Sequence, residues 1–215
     1  MSGPGRPRSE TVRHAVLLAA LEIVEQSGYP ALTMEGIARH AAVSKQTVYR
    51  WWPSKAAVVL EALNDGAAKL APAPDAGDLA NDLRAFLRRS VLGARGRNAR
   101  LLVALMAEAQ LDHGFARSFQ NEFLARRRAV MVELLRRARD RGEIGADANL
   151  ELIAELFFGA LWYRLLAASG PLDRTFADEM TDALLQLLDH ANRSALRERA
   201  AAASATPAGR RRQRR

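Results

Sequence analysis

The chain has 215 residues, 49% of them hydrophobic, enough for one large core or two smaller ones. It contains no cysteine, which excludes disulfides, thiolate zinc sites and cysteine nucleophiles and fits a reducing cytoplasm. The formal net charge of +8 sits at the two ends: residues 1–55 carry seven Lys and Arg against four Asp and Glu, residues 56–199 twenty of each, and the stretch from Ala200 five arginines and no acid. A polyanion partner is the simplest physical account of that placement; terminal arginines that merely aid solubility are the alternative.

The start, MSGPGRPRSE, has no apolar stretch and no cleavage pattern, so no signal peptide is expected. The most apolar segment, 150–169, is interrupted by Glu151, Glu155 and Arg164, which argues against a membrane span; a cytoplasmic protein is expected. Alanine, leucine and arginine dominate, with no alternating strand and no Asn-Gly turn, so the fold class is all-α with about nine helices.

In chain order, a basic disordered arm is expected over 1–8, with Arg6 and Arg8 free either to enter a minor groove or to stay solvated. A first helix over 9–27 sets Val12, Val16, Ala19, Ile23 and Val24 on one face and stops at Gly28. A second follows Thr33 and ends near Ala41, and a third follows Ser44 and stops near Trp52, ahead of Pro53. Thr33 and Ser44 can each cap their helix by accepting a bond from a first-turn N–H, and an exposed helix N-terminus attracts phosphate. A fourth helix follows Ser54 and reaches about Leu70, before the breaker cluster APAPDAG at 71–77. Five more fit 79–92, 98–112, 115–141, 150–168 and 176–196, with stops at Gly142, Gly145 and Gly170-Pro171. The end, ATPAGRRRQRR, reads as a disordered Arg-rich tail over 200–215.

Segment 33–55 carries the functional signal. It reads as two short helices joined by a tight turn, the outline of a helix-turn-helix DNA reader. On a helical wheel Val48 and Trp52 fall together and point inward. Gln46, Thr47 and Arg50 fall on the opposite face, with Lys45, Tyr49 and Trp51 beside them. Arg can take guanine, Gln adenine, and a Thr methyl can touch thymine. Lys45, Tyr49 and Lys55 suit phosphate contacts, which set register without reading sequence.

Leu32-Thr33, Ile37-Ala38, Ala41 to Ser44, Val48-Tyr49 and Trp52-Pro53-Ser54-Lys55 together resemble the N-terminal domain of the tetracycline-repressor (TetR) family. The resemblance covers about residues 11–63. It implies a third helix that enters the major groove and backbone contacts from Thr33, Tyr49 and Lys55. Trp52 stands where the family has a buried Phe, and Trp51 where a smaller ring often contacts the backbone. Ala42 replaces the glycine usual in the turn. Were φ positive there, alanine would cost about 1 kcal/mol, so a turn that tolerates alanine is expected. Gly36 either weakens the second helix or permits close approach of a DNA backbone.

Segment 157–173, FFGALWYRLLAASGPLD, resembles one C-terminal subgroup of the same family, which implies effector binding and dimerisation. The expected domains are thus a helix-turn-helix unit over 9–55, a connecting helix and linker over 56–77, and an effector-binding and dimerisation domain over 78–199. The last helix sets Phe176, Met180, Ala183, Leu184, Leu187, Leu188 and Ala191 in one stripe, and the preceding helix is apolar nearly all round. A two-fold interface from this pair is expected, with Gly159, Arg164, Met180, Leu184, Leu187 and Leu188 in it; Gly159 and Ala160 would admit another helix closely. Arg164 would pair with a carboxylate at that interface in preference to an acidic effector. The candidate effector pocket is Leu102, Met106, Phe119, Phe123, Phe158 and Trp162.

No phosphate loop, no nucleophile elbow and no His-x-x-x-His pair occurs, so no catalytic residue, metal or cofactor is expected. Glu108, Asp112 and His113 could line a metal site, although a solvated helix terminus is the preferred account. The expected function is a homodimeric regulator that binds a double-stranded, palindromic DNA operator and is released from it as a repressor by an unknown small molecule. The alternative is a nucleoid-type or protein-interaction module without sequence preference.

Overall fold

The computed structural model describes residues 9–68 and 74–204. The arm at 1–8, part of the breaker cluster and the arginine run at the end lie outside the described residues. Among the described residues the structure is helical and contains no strand. The helices are α1 (Glu10–Ser27), α2 (Met34–His40), α3 (Lys45–Trp51), α4 (Lys55–Ala68), α5 (Leu79–Gly93) and α6 (Arg97–Leu111). A continuous helix over 113–140, α7, comprises His113–Phe119, a π-helical turn Gln120–Leu124 and Ala125–Asp140; α8 (Leu150–Ala167) and α9 (Arg174–Ser204) follow. One short 3-10 turn, Tyr29–Ala31, joins α1 to α2.

Short polar side chains fix where these helices start. Thr33 Oγ1 accepts from Gly36 N–H at 2.9 Å and Ser44 Oγ from Thr47 N–H at 3.1 Å. Asp112 caps α7 by accepting from Gly114 and Phe115 N–H at 2.7 and 2.9 Å, so the helix begins two residues before the expected Phe115. Asp173 does the same for α9 through Phe176 N–H at 2.9 Å. At its far end α9 runs to Ser204, past the stop expected at residue 196. Ala168, at φ +48°, ends α8 ahead of the expected Gly170-Pro171.

Among the described residues one apolar cluster joins the helices. Val16, Val24, Leu32, Ile37, Val48 and Trp52 close α1, α2 and α3 on one another, all at most 2% exposed. Ion pairs lock this packing. Arg13 of α1 reaches Glu61 at 3.0 Å and Asp65 at 2.7 Å on α4, while Trp52 Nε1 donates to the other oxygen of Glu61 at 2.7 Å. Glu61 therefore holds α1 and the end of α3 to one helix.

The second half packs α5 against α9, and α7 against α8 and α5. Phe86 meets Phe157 edge to face at 6.2 Å, over buried Leu83, Leu101, Met131 and Leu135. Arg88 grips Asp178 with two bonds of 2.6 and 2.7 Å, and Arg84 reaches Asp182 at 2.6 Å, tying α5 to α9. The halves meet where α4 and α1 lie on α6. There Tyr29 Oη donates to Glu108 Oε1 at 3.0 Å and Arg97 pairs with Glu25 at 2.8 Å.

Candidate nucleic-acid interface

The turn between α2 and α3 sets the angle at which α3 leaves the core. Ala42 occupies it at φ +53°, so the position does take the left-handed conformation. The expected turn that tolerates alanine without strain is corrected: the side chain sits where an L-residue is disfavoured. Gly36 has a local reason that neither expected account named. A Cβ there would lie 3.0 Å from Thr33 Oγ1, so glycine leaves room for the cap that starts α2.

Val48 is fully buried and Trp52 is 2% exposed, which anchors α3 by one face. The opposite face is wet. Lys45, Gln46, Tyr49 and Arg50 are exposed and Thr47 is half-buried. Thr47 Oγ1 lies 2.9 Å from Ser44 Oγ, so its hydroxyl belongs to the cap and its methyl is the part left to make contacts. Arg50 lies over the ring of half-buried Trp51, 5.5 Å from its centroid, and Trp51 meets Trp52 edge to face at 5.7 Å. Thr33 is exposed at the start of α2.

Two cations of this surface are already engaged. Lys45 Nζ lies 2.9 Å from Glu35 Oε1 on α2, and Tyr49 Oη donates to the same oxygen at 3.3 Å. The hydrogen bond from Lys45 holds the Glu35 carboxyl below its usual range, so it is ionised at neutral pH. Lys55 Nζ stands 4.5 Å over the Tyr29 ring and donates to Tyr29 O at 3.5 Å. Burial, and then the bond to Glu108, push the Tyr29 hydroxyl well above its usual range, so it stays a donor. Lys55, Tyr29 and Glu108 thus form a chain of contacts from the start of α4 to α6. Sequence reasoning missed Glu35, Tyr29 and Glu61, because each acts across elements.

A cavity of about 1080 Å³ is lined by α1, α4 and α5 to α8. Of the expected pocket residues it brings together Leu102, Phe123, Phe158 and Trp162. Met106 and Phe119 are not in its wall: Phe119 is 1% exposed, stacked between Phe115 and Phe123, and Met106 packs beside the core. The wall also includes Leu21 of α1 and Ala62, Leu63 and Gly66 of α4, so the helix-turn-helix half contributes to it. The π turn supplies Gln120, Phe123 and Leu124; such turns widen a helix locally and recur at functional sites.

The expected interface residues divide. Leu184 and Leu188, each 3% exposed, point into the chain's own core rather than outward, because α9 is packed along α5. Among the described residues Arg164 meets no carboxylate, and it is not in the cavity wall: its Nη1 donates to Pro171 O at 2.6 Å and its guanidinium lies 3.7 Å over the Phe176 ring. Met180 is half-buried, Leu187 is 42% exposed, and a Cβ at Gly159 would meet nothing within 4 Å. The apolar surface left bare runs along α8 as Leu152, Leu156, Tyr163 and Leu166, each at least 43% exposed.

Glu108 and Asp112 are used by Tyr29 and by the α7 cap. Among the described residues no group of three or more His, Asp or Glu side chains is placed to hold a metal ion, and no helix is long and apolar enough to cross a membrane.

Comparison with known proteins matches two family models. Residues 16–62 fit "Bacterial regulatory proteins, tetR family", and residues 73–184 fit "Tetracyclin repressor-like, C-terminal domain". The uncharacterized HTH-type transcriptional regulator YdeS of Bacillus subtilis is 30% identical over 176 residues, 82% of this chain and 89% of its own. The DNA-binding transcriptional repressor TetR of Mycobacteroides abscessus is 30% identical over 182 residues, covering 84% and 95%. The crystal structure of the TetR family transcription regulator SCO0332 superposes with a TM-score of 0.70 at 36% identity, covering 82% of this chain and 98% of that one.

Proposed function

The chain belongs to the TetR family of helix-turn-helix transcriptional regulators, and on that premise we propose that it is a homodimeric repressor, released from a palindromic operator by a small molecule held in the cavity. One observation carries this most: the cavity wall is shared between α1 and α4 of the helix-turn-helix half and α5 to α8 of the other, so a ligand there touches both. The repressor named among the relatives agrees with the sign of regulation.

In this proposal Gln46, the Thr47 methyl and Arg50 read bases, and Thr33, Ser44, Lys45, Tyr49 and Lys55 hold phosphate, with Trp51 as the platform under Arg50. A second copy covers the bare α8 face, joined by Leu187, Met180 and Gly159, and sets two α3 helices against half-sites about 34–36 Å apart. A ligand that fits the cavity better when α6 and α4 are displaced would draw the Tyr29 turn, and Lys55 with it, away from the groove. It must bind the DNA-incompetent state more tightly, with a typical coupling of about 1–3 kcal/mol.

Selection of bound sites from random DNA tests the reading. A two-fold symmetric consensus, bound at least about a thousandfold more tightly than random sequence, is expected. A preference of about tenfold or less would instead point to a DNA-binding module without sequence preference.

A further inference from the structure

Besides its apolar and aromatic residues, and the uncharged polar Ser90, Asn98 and Gln120, the cavity wall carries a set of charges. Among the described residues, four arginines and three glutamates line it. Arg128 is taken by Glu151 at 2.6 Å and Glu155 at 3.4 Å, Arg136 pairs with Glu133, and Arg97 reaches outside the wall to Glu25 at 2.8 Å. All three glutamates of the wall are therefore spent. Arg127 is left with a hydroxyl and a ring: its Nη2 donates to Ser90 Oγ at 3.1 Å, and its guanidinium lies 6.0 Å from the Phe123 centroid. Ser90 is itself buried, 3% exposed, and lines the same wall.

A half-buried guanidinium without a carboxylate is a costly thing to keep, since taking a charge out of water is repaid only by a fixed partner of opposite sign. Here burial and the neighbouring Arg89 both push the Arg127 pKa down, against the charged form. Arg97 adds a buried Nε with no hydrogen-bond partner on the same wall. Among the described residues the cavity thus offers one unneutralised planar cation with free donors, set beside Phe123 and within reach of a large apolar volume.

We propose that the cavity takes an amphipathic monoanion, an aromatic or aliphatic body ending in a carboxylate, and that Arg127 is the partner of that carboxylate. A guanidinium fork matches two carboxylate oxygens, and one surplus cation matches one negative charge. Phe123, Phe158 and Trp162 receive the body. Ser90 is a positioning residue, holding the Arg127 fork by one nitrogen and leaving the other donors to the ligand. This inference rests on the cavity being the effector site of the proposed repressor.

The test uses matched probes: 2-naphthoate with 2-naphthalenemethanol, and decanoate with decanol. Binding to the full chain is measured by titration calorimetry, for the native protein and for Arg127→Met and Arg127→Lys. The native protein should prefer each acid to its alcohol by about tenfold or more, the scale of a hydrogen bond to a charged group. Arg127→Met should erase that preference while keeping the alcohol's affinity, and Arg127→Lys should keep part of it. Equal binding of acid and alcohol by the native chain overturns the proposal. So does a preference that survives in Arg127→Met, or no binding of any probe at millimolar concentration. If Arg127→Met does not melt cooperatively, Arg127→Lys decides alone, by a severalfold loss of preference against none.

Operator binding, measured in the same solutions, separates the two readings. An acid preference with operator affinity unchanged keeps the anion site and sinks the effector role; acid and alcohol that release DNA equally do the reverse.

Discussion

Glu35 sits among the residues proposed to hold phosphate, and it has the wrong charge for that company. Its carboxylate, ionised at neutral pH, lies 2.9 Å from Lys45 and accepts from Tyr49 at 3.3 Å. As long as Glu35 remains, the pair brings no net charge to the DNA, and Lys45 must leave its partner to reach a phosphate. Glu35→Gln keeps the shape and removes the charge, so the surface gains one effective cation. Each neutralised phosphate steepens the slope of log affinity against log salt by about 0.9. Between 50 and 200 mM salt that single contact amounts to about a 3.5-fold steeper loss of affinity. The variant should therefore bind DNA more tightly at low salt, with a slope more negative by about 0.9, on operator and random sequence alike. Both members of the pair are largely exposed, so melting temperature should not move. Fluorescence anisotropy over a salt series measures the slope. Lys45→Ala supplies the control: it should cost little in the native background and cancel the gain in Glu35→Gln. A slope unchanged in Glu35→Gln, or a gain that survives Lys45→Ala, would refute a phosphate role for Lys45.

Arg50→Ala should relax base preference and cost about 1–3 kcal/mol on the selected operator, against little on random DNA; equal losses on both would assign Arg50 to phosphate. Ala42→Gly should raise unfolding free energy by about 0.5–1 kcal/mol, since relief of a left-handed alanine outweighs the added chain entropy; a loss in urea titration would contradict the strain. Tyr163→Asp, in the middle of the bare α8 face, should convert a dimer in sedimentation to a monomer that still folds; an intact dimer would place the interface elsewhere. The bonds from Arg88 hold the Asp178 carboxyl below its usual range, so the native state binds fewer protons than the unfolded one and stability is lost as pH falls below about 4. Asp178→Asn should flatten that acid limb of melting temperature against pH, and an unchanged limb would show that the pair does not control it.

Local grammar made much of the fold legible. Thr33 and Ser44 announced α2 and α3, and the spacing of Val48 and Trp52 told which side of α3 faces inward. Such signals depend on neighbours within one turn, where backbone geometry alone decides who meets whom. Wherever a third helix decides, the sequence was ambiguous. The α9 stripe expected to serve a partner is too wide to be one face. Packing along α5 takes Phe176, Leu184 and Leu188, and leaves Leu187 outside. Glu61 and Asp65, which meet Arg13, and the anion partners of Arg88 and Lys45 lie on other elements, and only the tertiary fold brings them within reach.

Arg127 shows how that ambiguity hides a functional candidate. It stands in a run of three arginines, Arg126 to Arg128, which reads as a solvated face. Yet it falls four residues after Phe123 and four before Met131, 7% and 0% exposed, and so on the inward stripe of α7. The period was visible; its meaning was not, because an arginine on a buried stripe is more cheaply explained by a flexible stem that lifts the charge to water. What removes that explanation is the surroundings: among the described residues every cavity-wall carboxylate is already bound to another cation, and the hydroxyl of Ser90 meets the fork instead. A charge becomes a candidate binding group when its neighbours are counted, and that count needs the fold.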